Sequence, residues 1–196
     1  MIEEILKLDS NLFIFLNNLG NPNFDFFWIG LSKNEFNIII YLTATIIYIR
    51  TTKKYINFNL KNFLIFILSV TTLIILADQS SNLSKDFFQR LRPCYNDMIS
   101  ESVRLVKDSC GGKYGFFSAH ASNSFSLAIF FGLLFKRDSS LLIYFFTFIA
   151  FLISYSRIYL GVHYPIDIII GGIVGIMNGI LINRVFLYII HFFNKT

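Results

Sequence analysis

The chain alternates long apolar runs with short polar breaks, and the period of its apolar positions predicts helices throughout. Over residues 3–19, Ile5, Leu8, Leu12, Phe15, Leu16 and Leu19 recur at helical spacing, interrupted by Glu3, Glu4, Asp9, Asn11, Asn17 and Asn18. Such a stripe suits a helix lying in a membrane interface better than one crossing it. Asn21-Pro22-Asn23 then ends the element. Beyond it, about five stretches approach the roughly 20 apolar residues that a crossing helix requires. They run from about Trp28 to Ile49, Leu60 to Ala77, Ala119 to Phe135, Leu141 to Tyr155, and Pro165 to Ile190. Residues 78–117, between the second and third, are polar. The predicted fold is an all-α integral membrane bundle, with residues 1–22 as an interfacial helix and 23–196 as one membrane domain.

Composition supports this division. Of 196 residues, 55% are hydrophobic and 15% charged, against about a quarter charged in a soluble domain. The net charge of +5 comes without a basic tail or tract, so nucleic acid is not an expected partner. The charge fits loops beside anionic lipid and a basic pocket. The start, Met1-Ile2-Glu3-Glu4, is acidic where a cleavable signal would be positive, so none is expected. The stretch from Arg50 to Lys61 holds Arg50, Lys53, Lys54 and Lys61 without an acid. Lys136-Arg137 and the tail with Arg184 and Lys195 fall on the same side if the spans alternate. An excess of such residues marks the cytoplasmic face. The expected location is therefore a bacterial cytoplasmic membrane, with the polar clusters facing the periplasm or the cell exterior.

Those clusters carry the candidate chemistry. Lys85 and Arg92 offer a point charge and a planar fork, both suited to phosphate oxygens. Arg90 lies close to them in sequence, but its side chain is free to face elsewhere. Ser118-Ala119-His120 precedes a strongly apolar run. There Ser118 would cap a helix whose free N–H groups cradle an anion, and His120 would serve a leaving oxygen. Near the end stands Ser156-Arg157-Ile158-Tyr159-Leu160-Gly161-Val162-His163-Tyr164-Pro165-Ile166-Asp167. Pro165 fits the first helical position, which puts Asp167 in the first turn and within reach of His163. A carboxylate on one imidazole nitrogen leaves the other free to attack. Each cluster also has a plainer reading, as a headgroup-binding patch, a helix cap or a helix start. Arriving together, they point to phosphoryl chemistry. Gly171, Gly175 and Gly179 recur every fourth residue and read as a close helix contact. Asp78, at a span end, has no evident role in this reading.

The three clusters resemble the type 2 phosphatidic acid phosphatase family, the lipid phosphate phosphatases related to vanadium haloperoxidases. Its pattern is a Lys, six residues and Arg-Pro; a Pro-Ser-Gly-His; and a Ser-Arg, five residues, His, three residues and Asp. Lys85 with Arg92-Pro93 matches the first, and Ser156-Arg157, His163 and Asp167 match the third. In the second, Phe117 and Ala119 replace Pro and Gly while Ser118 and His120 remain. The resemblance implies that His163 attacks phosphorus and becomes a phosphohistidine, oriented by Asp167, while His120 protonates the leaving group. It implies that Lys85, Arg92, Arg157 and the Ser118-Ala119 region hold the phosphoryl oxygens, with no cofactor and no metal. The expected activity is hydrolysis of a lipid phosphomonoester or diphosphate. Undecaprenyl diphosphate ranks first as substrate, with phosphatidylglycerol phosphate and phosphatidic acid beside it. A lipid A phosphatase and a non-catalytic lipid-phosphate binder or transporter are the alternatives. Cys94 and Cys110 lie in the loop expected outside, where an oxidising compartment permits a disulfide.

Overall fold

The computed structural model describes residues 2–55, 59–136 and 138–195, and side chains throughout these except at 2, 51–55 and 195. The side chains of Lys53, Lys54 and Lys195, and the whole of Arg137, lie outside the described residues. Seven helices carry the fold among those residues: α1 (Ile2–Asn18), α2 (Asp25–Leu31), α3 (Asn34–Tyr55), α4 (Leu60–Phe88), α5 (Ala119–Leu134), α6 (Leu141–Tyr159) and α7 (Pro165–Lys195). Short 3₁₀ turns at Pro22–Phe24, Pro93–Tyr95 and Ser100–Ser102 shape the connections. The protein is an all-α integral membrane protein. Among the described residues, α4, α6 and α7 are long and apolar enough to cross a membrane. The apolar α5 is shorter, with 16 residues, and packs against α4, α6 and α7 at the centre of the bundle.

Aromatic packing fills the core. Phe66 of α4, Phe130 and Phe131 of α5 and Phe186 of α7 are buried together, with Tyr48 of α3 stacked on Phe66 at 4.2 Å. Large side chains such as Leu64, Leu68, Phe148, Phe151, Ile173 and Met177 point outward, as lipid-facing positions should. The glycine stripe acts as its spacing predicts. A Cβ on Gly171 would lie 2.7 Å from the Ser118 carbonyl oxygen, and one on Gly179 would lie 2.6 Å from that of Ser126. Gly175 abuts the Ser122 carbonyl in the same way. Only residues without a Cβ let α7 approach the α5 backbone this closely.

The structure corrects three of the expected elements. The run from Trp28 to Ile49 is not one span: it breaks at Ser32 and Lys33, between α2 and α3. The Ser32 N–H closes α2 on the Trp28 and Ile29 carbonyls, and the buried Ser32 side chain is held by Arg157. The second span does not stop at Ala77. Its helix runs on to Phe88 because the polar residues beyond find partners: Asp78 accepts from Asn123, and Ser81 donates to the Phe117 carbonyl. Thirdly, Asp9 and Asn17 do not merely interrupt the α1 stripe. With Phe13 they form its buried face, while Ile5, Leu8, Leu12, Phe15 and Leu19 stay exposed on the other. The buried face rests on α6 and α7.

Candidate active site

The end of α4, the start of α5, the end of α6 and the start of α7 meet at one end of the bundle. Antiparallel alternation brings them there, and each delivers part of one of the sequence clusters. At the opposite end, Lys61 of α4 lies over the Phe193 ring of α7, 3.9 Å from its centroid.

Local structure places each group. Helix α4 ends at Gln89, in the left-handed region (φ 47°), with Lys85 in its last turn. The chain then pairs residues 90–92 with 113–115: the Arg92 N–H donates to the Lys113 carbonyl and the Gly115 N–H to that of Arg90. This pairing fixes Arg92, whose Nε donates to the Tyr114 carbonyl (3.2 Å) and whose Nη1 donates to that of Cys110 (2.6 Å). Cys110 is itself bonded to Cys94, with their Cα atoms 6.4 Å apart. Ser118 caps α5, its side chain accepting from the Ala121 N–H, and is fully buried. Its own N–H donates to the Asp167 carbonyl (3.0 Å), which ties the start of α5 to the start of α7.

After α6 the chain turns at Gly161, where φ is +82°; a side chain there would be strained. The Val162 N–H returns to the Arg157 carbonyl, and His163 follows at 2% exposure. His163 Nδ1 lies 3.5 Å from Asp167 Oδ2, close enough for an ion pair but not hydrogen-bonded to it. Asp167 Oδ2 also accepts from the Tyr164 N–H (3.0 Å). Gly115 stands against the same pair: a Cβ on it would lie 3.4 Å from Asp167 Oδ2 and 3.6 Å from His163 Nδ1.

The His163 imidazole is held well below its ordinary pKa of 6.5, first by burial, then by the charges of Arg157, Arg92 and Lys85. Burial likewise lowers Arg92, partly offset by Asp167. Three cations thus converge on a neutral imidazole. Arg157 donates to the Ser32 side chain, while its buried Nε has no partner among the described residues. His120 Nε2 lies 3.3 Å from the Ser32 carbonyl. Beside His120 opens a cavity of about 480 Å³ between α3, α4 and α5, with Asn34, Asn37, Asp78 and Asn123 on its wall. Asp78, without a role in the sequence reading, accepts from Asn123 Nδ2 at 2.5 Å there.

The structure therefore brings Arg92, Ser118, Ala119, His120, Arg157, His163 and Asp167 to one end of the bundle. Lys85 faces the same region, its charge felt at His163, with Asn82 Oδ1 at 3.5 Å. Sequence reasoning missed Ser32, which lies in a run read as unbroken span. It also left Arg90 and Asp9 aside. Arg90 Nη1 donates to Asp167 Oδ1 (2.8 Å) and Nη2 to Asp9 Oδ2 (2.5 Å). The signal for Asp9 was its four-residue spacing to Phe13 and Asn17, which marks a second face of α1.

Comparison with known proteins bears on the family and the fold. The family model described as "PAP2 superfamily" matches residues 62–191. A lipid A 4'-phosphatase of Bacteroides thetaiotaomicron is 37% identical over 91% of this chain and 77% of its own length. One of Porphyromonas gingivalis is 34% identical over 95% of this chain and 76% of its own. Among solved structures, Aquifex aeolicus LpxE superposes with a TM-score of 0.67 at 24% identity, covering 89% of this chain and 93% of that one. The transmembrane PAP2-type phosphatidylglycerolphosphate phosphatase of Bacillus subtilis gives 0.68 at 16% identity, covering 92% and 85%.

Proposed function

The chain belongs to the PAP2 superfamily and is a membrane lipid phosphatase; we propose that its substrate is lipid A, and that His163 is its nucleophile. The observation carrying the substrate is the similarity to two lipid A 4'-phosphatases along nearly the whole of this chain. It moves lipid A ahead of undecaprenyl diphosphate, which led the ranking from sequence. The cavity beside His120 supports the same choice. Its carboxamides and carboxylate suit a hydroxylated sugar better than a bare prenyl chain.

In the proposed reaction, Lys85, Arg92 and Arg157 hold the phosphoryl oxygens and neutralise their charge. Phosphoryl transfer asks mainly for such positioning and charge stabilisation. His163 Nε2 attacks phosphorus while Asp167 keeps the proton on Nδ1. The P–O bond to the sugar breaks as the P–N bond forms, and His120 gives the departing oxygen its proton. A water molecule, losing a proton to His120, then attacks the phosphohistidine and releases phosphate. The active face is extracytoplasmic in a bacterial inner membrane, an orientation supported by the acid-free basic loop at the other end.

Phosphate release by purified protein tests both parts. Wild-type protein is expected to turn over lipid A with higher kcat/KM than undecaprenyl diphosphate, phosphatidylglycerol phosphate or phosphatidic acid, and to stay largely active in EDTA. His163→Ala is expected to abolish turnover of all four. Turnover persisting in His163→Ala, or strict dependence on a divalent ion, would remove the mechanism. Preference for another lipid would remove lipid A alone.

A further inference from the structure

We infer that Asp9, on the helix outside the family's motifs, is a positioning residue for the nucleophile, acting through Arg90 and Asp167. The inference rests on His163 being the nucleophile.

Arg90 stands between two buried carboxylates. Its fork gives Nη1 to Asp167 Oδ1 at 2.8 Å and Nη2 to Asp9 Oδ2 at 2.5 Å. Side-chain exposure is 0% for Asp167, 1% for Asp9 and 17% for Arg90. The flat guanidinium also lies on the Tyr164 ring, 4.0 Å from its centroid. Tyr164 is pinned in turn by Phe13 of α1, edge to face at 5.4 Å, and its hydroxyl accepts from Asn96 Nδ2. The second Asp9 oxygen accepts from the Ile166 N–H (2.9 Å), in the first turn of α7. Asp9 therefore grips both the arginine that holds Asp167 and the turn of backbone that carries it.

This arrangement decides how Asp167 meets His163. With Oδ1 taken by Arg90 and Oδ2 by the Tyr164 N–H, the carboxylate is held with Oδ2 toward His163 Nδ1, 3.5 Å away, a buried atom with no hydrogen-bond partner among the described residues. Asp9 also shares the charge of Arg90. An Arg90 with no second carboxylate would spend all its attraction on Asp167, leaving that group a weaker acceptor for the imidazole proton. A carboxylate earns its place behind an attacking imidazole by fixing the tautomer and stabilising the charge that forms. Here that task is divided between two aspartates and one arginine. Lys85, Arg92 and Arg157, the proposed phosphate ligands, make no hydrogen bond to Asp9 among the described residues. Asp9 should thus govern the rate of attack and not the binding of substrate.

A merely structural role for Asp9 would be to dock α1. Asn17 provides the control, because it docks the same helix without touching Arg90. Its amide donates to the Arg104, Ile158 and Tyr159 carbonyls, and its oxygen accepts from the Arg104 N–H.

The test is kcat and KM for lipid A and for phosphatidic acid, with rapid-quench measurement of the acid-labile phosphoenzyme and thermal unfolding in detergent. Asp9→Asn is expected to lower kcat and the rate of phosphoenzyme formation by about 10- to 100-fold, as loss of an outer supporting group does elsewhere, with KM changed less than about twofold. Asp9→Glu, which keeps the charge, is expected to recover part of that loss. Arg90→Lys keeps the charge without the fork; it should show the same fall in kcat at constant KM, and decides the matter if Asp9→Asn does not fold. Asn17→Ala is expected to lower the unfolding temperature and keep kcat. A wild-type kcat in Asp9→Asn and Arg90→Lys, a change confined to KM, or an equal loss of kcat in Asn17→Ala would overturn the inference. Failure on lipid A alone would count against the substrate, since the effect would still be read on phosphatidic acid.

Discussion

His163 shows how the surroundings of one residue set its chemistry. An exposed imidazole is part-protonated near neutrality and then has no lone pair to attack with. Burial, and after it the charges of Arg157, Arg92 and Lys85, lower its pKa well below 6.5, so the attacking form dominates at neutral pH. In the proposed mechanism, the same cations that hold phosphate thus keep the nucleophile neutral. It follows that the acid limb of kcat/KM assigned to His163 lies below pH 6.5, with activity falling as pH falls through it. Removing a nearby positive charge eases protonation, so Arg157→Gln should move that limb to higher pH while lowering overall activity. The substrate phosphate, with its own pKa of about 6, is common to both proteins. Comparing their profiles on one substrate therefore isolates the shift. An unmoved limb in Arg157→Gln would show that Arg157 does not act on His163 through its charge.

At the scale of elements, the contact between α5 and α7 matters most, because α5 carries His120 and α7 carries Asp167. Only bare glycine backbone lets them meet so closely. Gly175→Val should therefore push the helices apart and cost about 1–3 kcal/mol or more, as overpacking does. Gly30→Ala, at a position with nothing within 4 Å, should be neutral or slightly stabilising. Thermal unfolding of the two variants in detergent compares them directly, and equal midpoints would mean that the stripe is not a tight contact. This stripe was legible in the sequence, as were α5, the α6–α7 motif and the Ser118 cap, because each rests on local spacing. The break at Ser32 was not, since an apolar run gives no sign of a serine that a distant arginine will claim. The extension of α4 to Phe88 was hidden for the converse reason. Asp78 and Ser81 look like loop residues until α5 and the loop before it supply their partners. Asp9 was visible only as a flaw in a stripe; pairing with Arg90, 81 positions away, belongs to the folded chain alone.

Across the whole molecule, one bond bears on the side of the membrane to which the candidate active site is proposed to face. Cys94 and Cys110 are the chain's two cysteines, and the structure joins them in the loop over the site. The bridge holds in place the Cys110 carbonyl that accepts from Arg92. Closing a loop of this length contributes about 3 kcal/mol in the chain-entropy account. Such a bond persists in oxidising compartments and is reduced in the bacterial cytoplasm, which supports the proposed outward-facing site. The basic loops support the same proposal by an independent argument, the excess of Lys and Arg on the cytoplasmic side. Mass spectrometry of unreduced, alkylated protein is expected to find neither cysteine alkylated. In a variant with both cysteines replaced by serine, single cysteines returned at positions 95–109 are expected to react in intact cells with a thiol probe that cannot cross the membrane. Those placed at 51–57 are expected to stay silent until the cells are opened. Two alkylated thiols together with labelling of 51–57 from outside would invert the topology. Free thiols with labelling of 95–109 would remove the bridge and leave the orientation standing.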